Sequence, residues 1–595
     1  MDGLMKIKVP IQQVTASYVV TKDVATGKYV LYSPTGRILY ESTDRYDVIK
    51  YAFTNLPDNS LIDIVDTRPH RYLKPKYVSG GYDLSQLTFR IKRVGRYVLP
   101  YDNPDLSIPV FETKFEFSTE SEKITSVPIT GTVSLSVGNG LATLSSDTTT
   151  FVEGYYVYNI DTLPSALVVV LEVYSWNVTL GNNNCNPMIV LVKDANNRFT
   201  LLYNTKLKRV ESYRMVNGTS YGNEVTLSVD LTPPFKLILV INFNTALMFY
   251  EKDGRLVYVG RLLDLGFDFR DISNWRSFKI GFGGAFDGAL SFSIRRFKVC
   301  HTNMTGIRDP TPVTDKYGNP LIIDGRVYFT ATMACVPASI ASGEEIPTSA
   351  HALYSIDFSG NLRLEKIIIN RRVDKDNKLY GDHASHLIYD PDTGKYVMVF
   401  SSWVSDWTGG TTLTPYILLS VFDMDIRDRG VLVIDSKAIA NLPSRWDPVL
   451  IYDLDLKKWR LICFRDNVLS VYENSVLDYT GWSLVKELST THVTEGGKYF
   501  KVGKKYLGVG ISWQSPYMGV YDYPDITTVT TINVPAVWGS EEPPPHPALI
   551  PVPLSNNKTK YVLVTMSRSY PRADLVIMEA DQLNDGYEYP ILISI

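Results

Sequence analysis

Residues 447–466 read DPVLIYDLDLKKWRLICFRD: an Asp-Pro opening, a short apolar run, a polar turn and a second apolar run. The same plan recurs at 309–332 (DPTPV…GRVYFTAT), 383–403 (HASHLIYDPDTGKYVMVFSSW), 495–513 (EGGKYFKVGKKYLGVGISW) and 546–567 (HPALIPVPLSNNKTKYVLVTMS). Each unit opens on Asp, His or Glu, turns at a polar or Gly-containing hairpin, and continues through Tyr, Trp, Val and Leu. Recurrence at this spacing is the signature of blades, each of which buries its apolar faces only against its neighbours. Five copies predict a five-bladed β-propeller over 301–595.

The innermost strand of a blade lines the central channel, so the five opening residues converge at one mouth. These are Asp309, His383, Asp447, Glu495 and His546. Carboxylates gathered in one funnel raise one another's pKa, and a perturbed carboxyl in a cleft marks a functional site. Two carboxyl groups flanking a bond are also what glycoside hydrolysis needs. Trp403, Trp446 and Trp513 lie in or near the blade loops, where indole rings either form a platform for sugar stacking or pack into the core.

The rest of the chain is also strand-rich. Long alternating strands from 113 to 300, with turns at Asp-Ala-Asn-Asn and Lys-Asp-Gly, predict two antiparallel sheets packed as a sandwich. Residues 71–112, rich in Pro, Tyr and basic residues, read as a connector. Residues 1–70 read as a small α+β unit, with hairpin turns at Thr26-Gly27 and Thr35-Gly36, a helix over 42–57 and a last strand at Leu61–Val65. The fold class is therefore mainly β: a small α+β N-terminal unit, a jelly-roll β-sandwich and a five-bladed propeller.

Composition removes other classes. Of 595 residues, 45% are apolar and 21% charged, as in a globular chain rather than a disordered one. A formal charge of −3 gives no basic surface for nucleic acid. No apolar run reaches the length of a membrane span or a signal peptide. Four cysteines, Cys185, Cys300, Cys335 and Cys463, lack metal-ligand spacing and read as separate buried thiols, with one or two disulfides left open. The sequons at Asn177, Asn217, Asn303 and Asn557 fit the glycan-acceptor pattern.

Three resemblances extend this reading. The stretches YVVTKD (18–23), GKYV (27–30), GRILY (36–40) and DVIKYA (47–52) look like the leader module of tail-fibre and spike proteins of archaeal viruses. That resemblance implies attachment to other virion tail proteins and a place on the virion surface. The stretches KLILVINFNTALMFYEKDGRLVYVG (236–260) and FKIGFGGAFDGALSFSIRRFKV (278–299) resemble laminin-G and concanavalin-like jelly rolls, which implies a lectin or a spacer.

The propeller resembles the glycoside hydrolases of family 43. Carried over to this sequence, Asp309 in RDPTPV would be the general base, Asp447 in WDPVLIY the residue that tunes the acid, and Glu495 in TEGGKYF the acid. His546 would sit over the channel, beside water or a structural cation; no other cofactor is implied. Substrate contacts would come from His383, His546 and the three tryptophans. The resemblance implies inversion, with acid and base carboxyls about 6.5–9.5 Å apart. Two departures stand out: Gly-Gly rather than Gly-Pro follows Glu495, and an insert, VTDKYGNPLIIDG (313–325), follows Asp309.

The expectation is a virion spike that recognises, and in one form hydrolyses, glycans of a host envelope. A free polysaccharide hydrolase and a non-catalytic structural propeller stay open beside it, as does homo-oligomerisation.

Overall fold

In the computed structural model, residues 100–402 are described apart from 305, 335–349 and 358–360, and residues 415–489 apart from 466–467. Also described are 18–23, 26–33, 37–43, 47–48, 51, 62–65, 90–95, 495–502, 505–511, 517–523, 528–533, 546–553, 559–566 and 575–581. The chain is mainly β. Among the described residues no helix is long and apolar enough to cross a membrane.

The N-terminal unit is a four-stranded sheet in the order Ile38–Ser42, Tyr29–Tyr32, Tyr18–Lys22, Ile62–Val65. The last two strands run parallel, as they must when a crossover joins them. Of the helix expected over 42–57, Ser42 still belongs to the preceding strand and Thr43 is a bend, while Asp47, Val48 and Tyr51 are helical; the remaining positions lie outside the described residues.

Two antiparallel sheets form the sandwich. One has Cys185–Asp194 and Lys279–Phe286 at its centre; the other has Leu167–Asn177 paired with Leu290–Thr302. Side chains from both inner faces, among them Leu171, Leu239, Ile189, Phe282 and Phe297, make one apolar core. Strand alternation sends every second residue to this core, which explains the period of two in the sequence. Cys185, Cys300 and Cys463 are buried free thiols; Cys335 lies outside the described residues. Asn303 is also buried, and its Nδ2 donates to Tyr354 Oη at 3.1 Å, so this sequon is occupied by a structural contact.

Beyond the sandwich stand five four-stranded blades. Their inner strands are Ile307–Pro312, His383–Asp390, Trp446–Asp453, Glu495–Val502 and Ala548–Pro553. Each inner strand touches the next, and the fifth touches the first, so the ring is closed. Both faces of an inner strand are covered. In blade three, Leu450 packs towards Ile388 and Val399 of blade two, while Val449 and Ile451 pack towards Tyr499 and Tyr506 of blade four. That is why these strands read as unbroken apolar runs; each such side chain contributes about 1.5–3 kcal/mol on burial.

Two features of the ring are not visible in the repeat. The outer strands of blades one and two, Leu362–Arg372 and Gly430–Ala438, pair in parallel, so these two blades share one sheet. The fourth strand of blade five comes from far upstream: Arg90–Gly95 pairs antiparallel with Leu575–Asp581.

The insert after Asp309 has a structural role. Thr314–Asp315 pairs with Ile388–Tyr389 of blade two. Lys316 O accepts from Tyr452 N of blade three at 3.2 Å, and Tyr317 O accepts from Tyr506 Oη of blade four at 3.1 Å. Lys316 Nζ pairs with Asp390 Oδ1 at 2.8 Å and with Asp392. The insert thus ties blade one to the three that follow, at the end of the inner strands away from Asp309.

Candidate functional site at the propeller mouth

Every blade opens on the same backbone device. Asp309, Ala384, Asp447, Gly496 and His546 all have left-handed φ, of 54°, 46°, 50°, 69° and 51°. In the first four blades the ladder slips at this point, between Arg308 and Thr311, His383 and His386, Trp446 and Val449, and Glu495 and Lys498. These are bulges, which twist a strand locally and re-aim a side chain away from the sheet face. The five opening residues therefore do not share one register. Asp309, Asp447 and His546 occupy the left-handed position, whereas His383 and Glu495 stand one residue ahead of it, level with Arg308 and Trp446. Sequence similarity aligns the first letters of the repeats, but φ assigns the positions.

For an alanine this conformation is costly, by about 1–2 kcal/mol. Ala384→Gly should therefore stabilise the protein by up to about 1 kcal/mol, after the greater entropy of glycine in the unfolded chain is offset. Urea unfolding of the two proteins measures this, and an unchanged midpoint would show that the bulge is not strained.

At the mouth, Asp309 lies between two imidazoles. His546 Nε2 is 3.3 Å from its Oδ1, and His383 Nδ1 is 3.7 Å from its Oδ2. The carboxylate is buried, which by itself would raise its pKa. His546, His383 and the nearby Arg308 outweigh burial and hold it well below the usual carboxylate range. Mutual raising of clustered carboxylates, expected from the sequence, does not govern Asp309, because imidazoles rather than carboxylates are its nearest neighbours.

Asp447 is also buried, and its Oδ2 accepts from the N–H of Gly496 at 3.0 Å. Its own N–H donates to Ser401 Oγ at 2.9 Å, which anchors the bulge of blade three on blade two. The Gly-Gly pair after Glu495 now has a cause. A Cβ on Gly496 would lie 2.7 Å from His546 Nδ1, and one on Gly497 would lie 2.2 Å from Phe464 Cζ. Blade four can approach its neighbours this closely only without side chains at these positions.

Trp446 is half-buried against the core between blades three and four, one residue before Asp447. Glu495 opens its strand, but its side chain lies outside the described residues, as do Trp403 and Trp513. Among the described residues no three His, Cys, Asp or Glu side chains are grouped to hold a metal ion.

Two histidines behind the mouth escaped the sequence reading because no repeat position marks them. His351 is buried with its ring edge-on to Phe400 at 5.2 Å, and burial pushes it down to about 3. His386 Nδ1 accepts from Leu450 N at 3.1 Å, so Nε2 carries the proton and donates to Thr314 Oγ1 at 3.2 Å; burial lowers it to about 3. In the sandwich, burial lowers His301 to about 4.

These three imidazoles set an acid limit. Their folded values lie below the unfolded value of about 6.5, so their contribution is complete above that pH and is lost as pH falls from there through about 4 to 3. Asp309, also depressed, withdraws its contribution only below about pH 4. Melting temperature should fall from about pH 6 downward, with unfolding taking up about three protons by pH 5. A flat profile from pH 7 to 5 would contradict the neutral imidazoles.

No family model and no curated protein matches the chain. Among solved structures it is similar in part to an alpha-L-arabinofuranosidase from Clostridium thermocellum, at 13% identity and a TM-score of 0.29 over 48% of this chain and 94% of that one. A GH43 protein from Bacillus licheniformis matches at 14% identity and a TM-score of 0.26, over 34% of this chain and 40% of that one. Lectin II from Ulex europaeus matches at 11% identity and a TM-score of 0.24, over 33% of this chain and 97% of that one.

Proposed function

We propose that the mouth of the propeller is a glycan-binding site, presented by a virion spike or fibre to the glycans of a cell envelope. The observation that carries the site is the meeting of Asp309, His383, Asp447 and His546, from four blades, at one end of a closed ring. A fixed anion, imidazole donors and the Trp446 indole are groups that hydrogen-bond to and stack on sugars. The virion setting rests on the leader-like stretches of the N-terminal unit, which would dock on other tail proteins.

Hydrolysis is the sharper form of this reading, and one contact favours it. Asp447 holds the N–H of Gly496, so it fixes the backbone that carries Glu495. In this mechanism Asp309, kept ionised by its neighbours, takes a proton from water as the water oxygen bonds to the anomeric carbon. The glycosidic C–O bond breaks, and Glu495 gives its proton to the leaving oxygen. Asp447 acts through Gly496 as a positioning residue, and no cofactor enters the balance.

The test incubates the parent, Glu495→Gln and Asp309→Asn with envelope glycans, and measures both bound protein and released saccharide. Release by the parent alone supports hydrolysis. Equal binding without release leaves a receptor-gripping propeller, and no binding by any of the three overturns the glycan site. Absence of the chain from purified particles would remove the spike and leave a free polysaccharide hydrolase.

A further inference from the structure

Behind His383 lies a polar layer that the mouth itself does not use. Asp382, the preceding residue, is fully buried. Its carboxylate accepts from Arg372 through both Nη2 and Nε, the latter at 3.3 Å, and from Asn370 Nδ2 at 2.6 Å. Arg372 is buried as well, and its Nη1 donates to Tyr416 Oη at 2.6 Å. A buried ion pair recovers little more than the desolvation of its two charges, so its value is in geometry rather than net stability. A guanidinium fork and an amide on one carboxylate leave Asp382, and the chain that leaves it, a single direction.

The sandwich braces this layer from outside. The Arg372 guanidinium lies 4.3 Å from the centre of the Tyr380 ring, and Arg270 of the sandwich lies 5.3 Å from the same ring. Arg270 O accepts from Leu379 N at 3.0 Å. Lys378 Nζ reaches Asp268 Oδ2 at 2.5 Å, and Arg270 Nε holds the other oxygen of that carboxylate at 3.0 Å. The segment 378–380 is therefore gripped by the sandwich just before it turns into the mouth.

We propose that the Arg372–Asp382 pair, braced by Asp268 and Arg270 of the sandwich, is a positioning device that sets His383 against Asp309. It rests on the reading of the mouth as a glycan site, and it makes the sandwich part of that site's geometry. At the mouth His383 faces Oδ2 of Asp309 and His546 faces Oδ1; Arg308 acts on the same carboxylate, and the buried His351 lies near both His383 and Asp309.

The experiment uses the full chain with carbon-13-labelled histidine rings. In Lys378→Ala, and in Arg372→Met combined with Asp382→Leu, the His383 ring signal should move while the His301 signal, deep in the sandwich, stays in place. Lys378 is one-third exposed, so its variant folds even if the buried double variant does not. A His383 signal that overlays the parent in the folded variants overturns the proposal. A second readout is the dissociation constant for an envelope glycan. Arg372→Met should weaken it about tenfold, with no further loss when combined with His383→Ala. Additive losses would place the effect of Arg372 elsewhere. If the parent binds no glycan, the functional reading fails, while the ring signals still decide the positioning role.

Discussion

A fragment that begins at residue 100 should aggregate, although it keeps all five repeats. Strand Arg90–Gly95 closes the fifth blade through five paired positions along Leu575–Asp581. Cross-strand pairs contribute about 0.2–1 kcal/mol each, so the loss is about 1–5 kcal/mol from this ladder. The larger effect is on the edge: LVIMEAD, apolar over its first four residues, would be left unpaired and open to a second chain. Size-exclusion chromatography of residues 100–595 should show oligomers and a lowered melting temperature. Adding a synthetic peptide of residues 88–97 should restore the profile of the full chain. A fragment that elutes like the full chain and is as stable would show that the strand is dispensable.

Gly496→Ala should be a strongly damaging single-methyl change at the mouth. The added Cβ meets His546 Nδ1 at 2.7 Å and His546 Cα at 3.1 Å, on a residue whose φ is +69°. Left-handed alanine costs about 1–2 kcal/mol, and an overlap that a packed neighbour must absorb costs about 1–3 more, for a total of about 2–5 kcal/mol. Gly394→Ala is the matched control: its φ is +73°, but nothing lies within 4 Å of its Cβ. That variant should lose only the backbone share, about 1–2 kcal/mol. Because His546 would be pushed from Asp309, Gly496→Ala should also lose the glycan binding proposed for the mouth, which Gly394→Ala should keep. Equal losses in the two variants would mean that the blade relaxes and His546 is not held by this contact.

The local pattern carried most of the architecture. Strand-length apolar runs from 113 to 300, separated by turn residues, specify sheets with an apolar face to cover; the second buried face of Leu167–Asn177 and Thr245–Lys252, packed around Val168, Ile238 and Phe249, appears only in the structure. The repeats specify blades because their first strands, such as VLIY at 449–452, are apolar at consecutive positions and need a neighbour on each side. Candidate residues Asp309, Asp447 and His546 were legible because a polar residue at the start of a buried strand has only the channel mouth in which to stay hydrated or paired. The role of the insert at 313–325 was not legible, since its contacts to Tyr389, Tyr452 and Tyr506 lie in three other blades.

What the sequence determined by itself is therefore local: element type, repeat number and the residue kinds brought to the mouth. The tertiary structure decided what depends on distance along the chain or on one degree of freedom per residue. It recruited Arg90–Gly95 to a blade almost five hundred residues away, because a ladder needs an edge partner and sequence separation does not enter its hydrogen bonds. It also set the register at the mouth: a left-handed φ at Gly496 and Ala384 puts Glu495 and His383 one residue ahead of Asp309. Finally, it set the charge state of Asp309, because His546 at 3.3 Å and His383 at 3.7 Å, from two other blades, together with Arg308 outweigh burial, and no spacing in the sequence encodes those approaches.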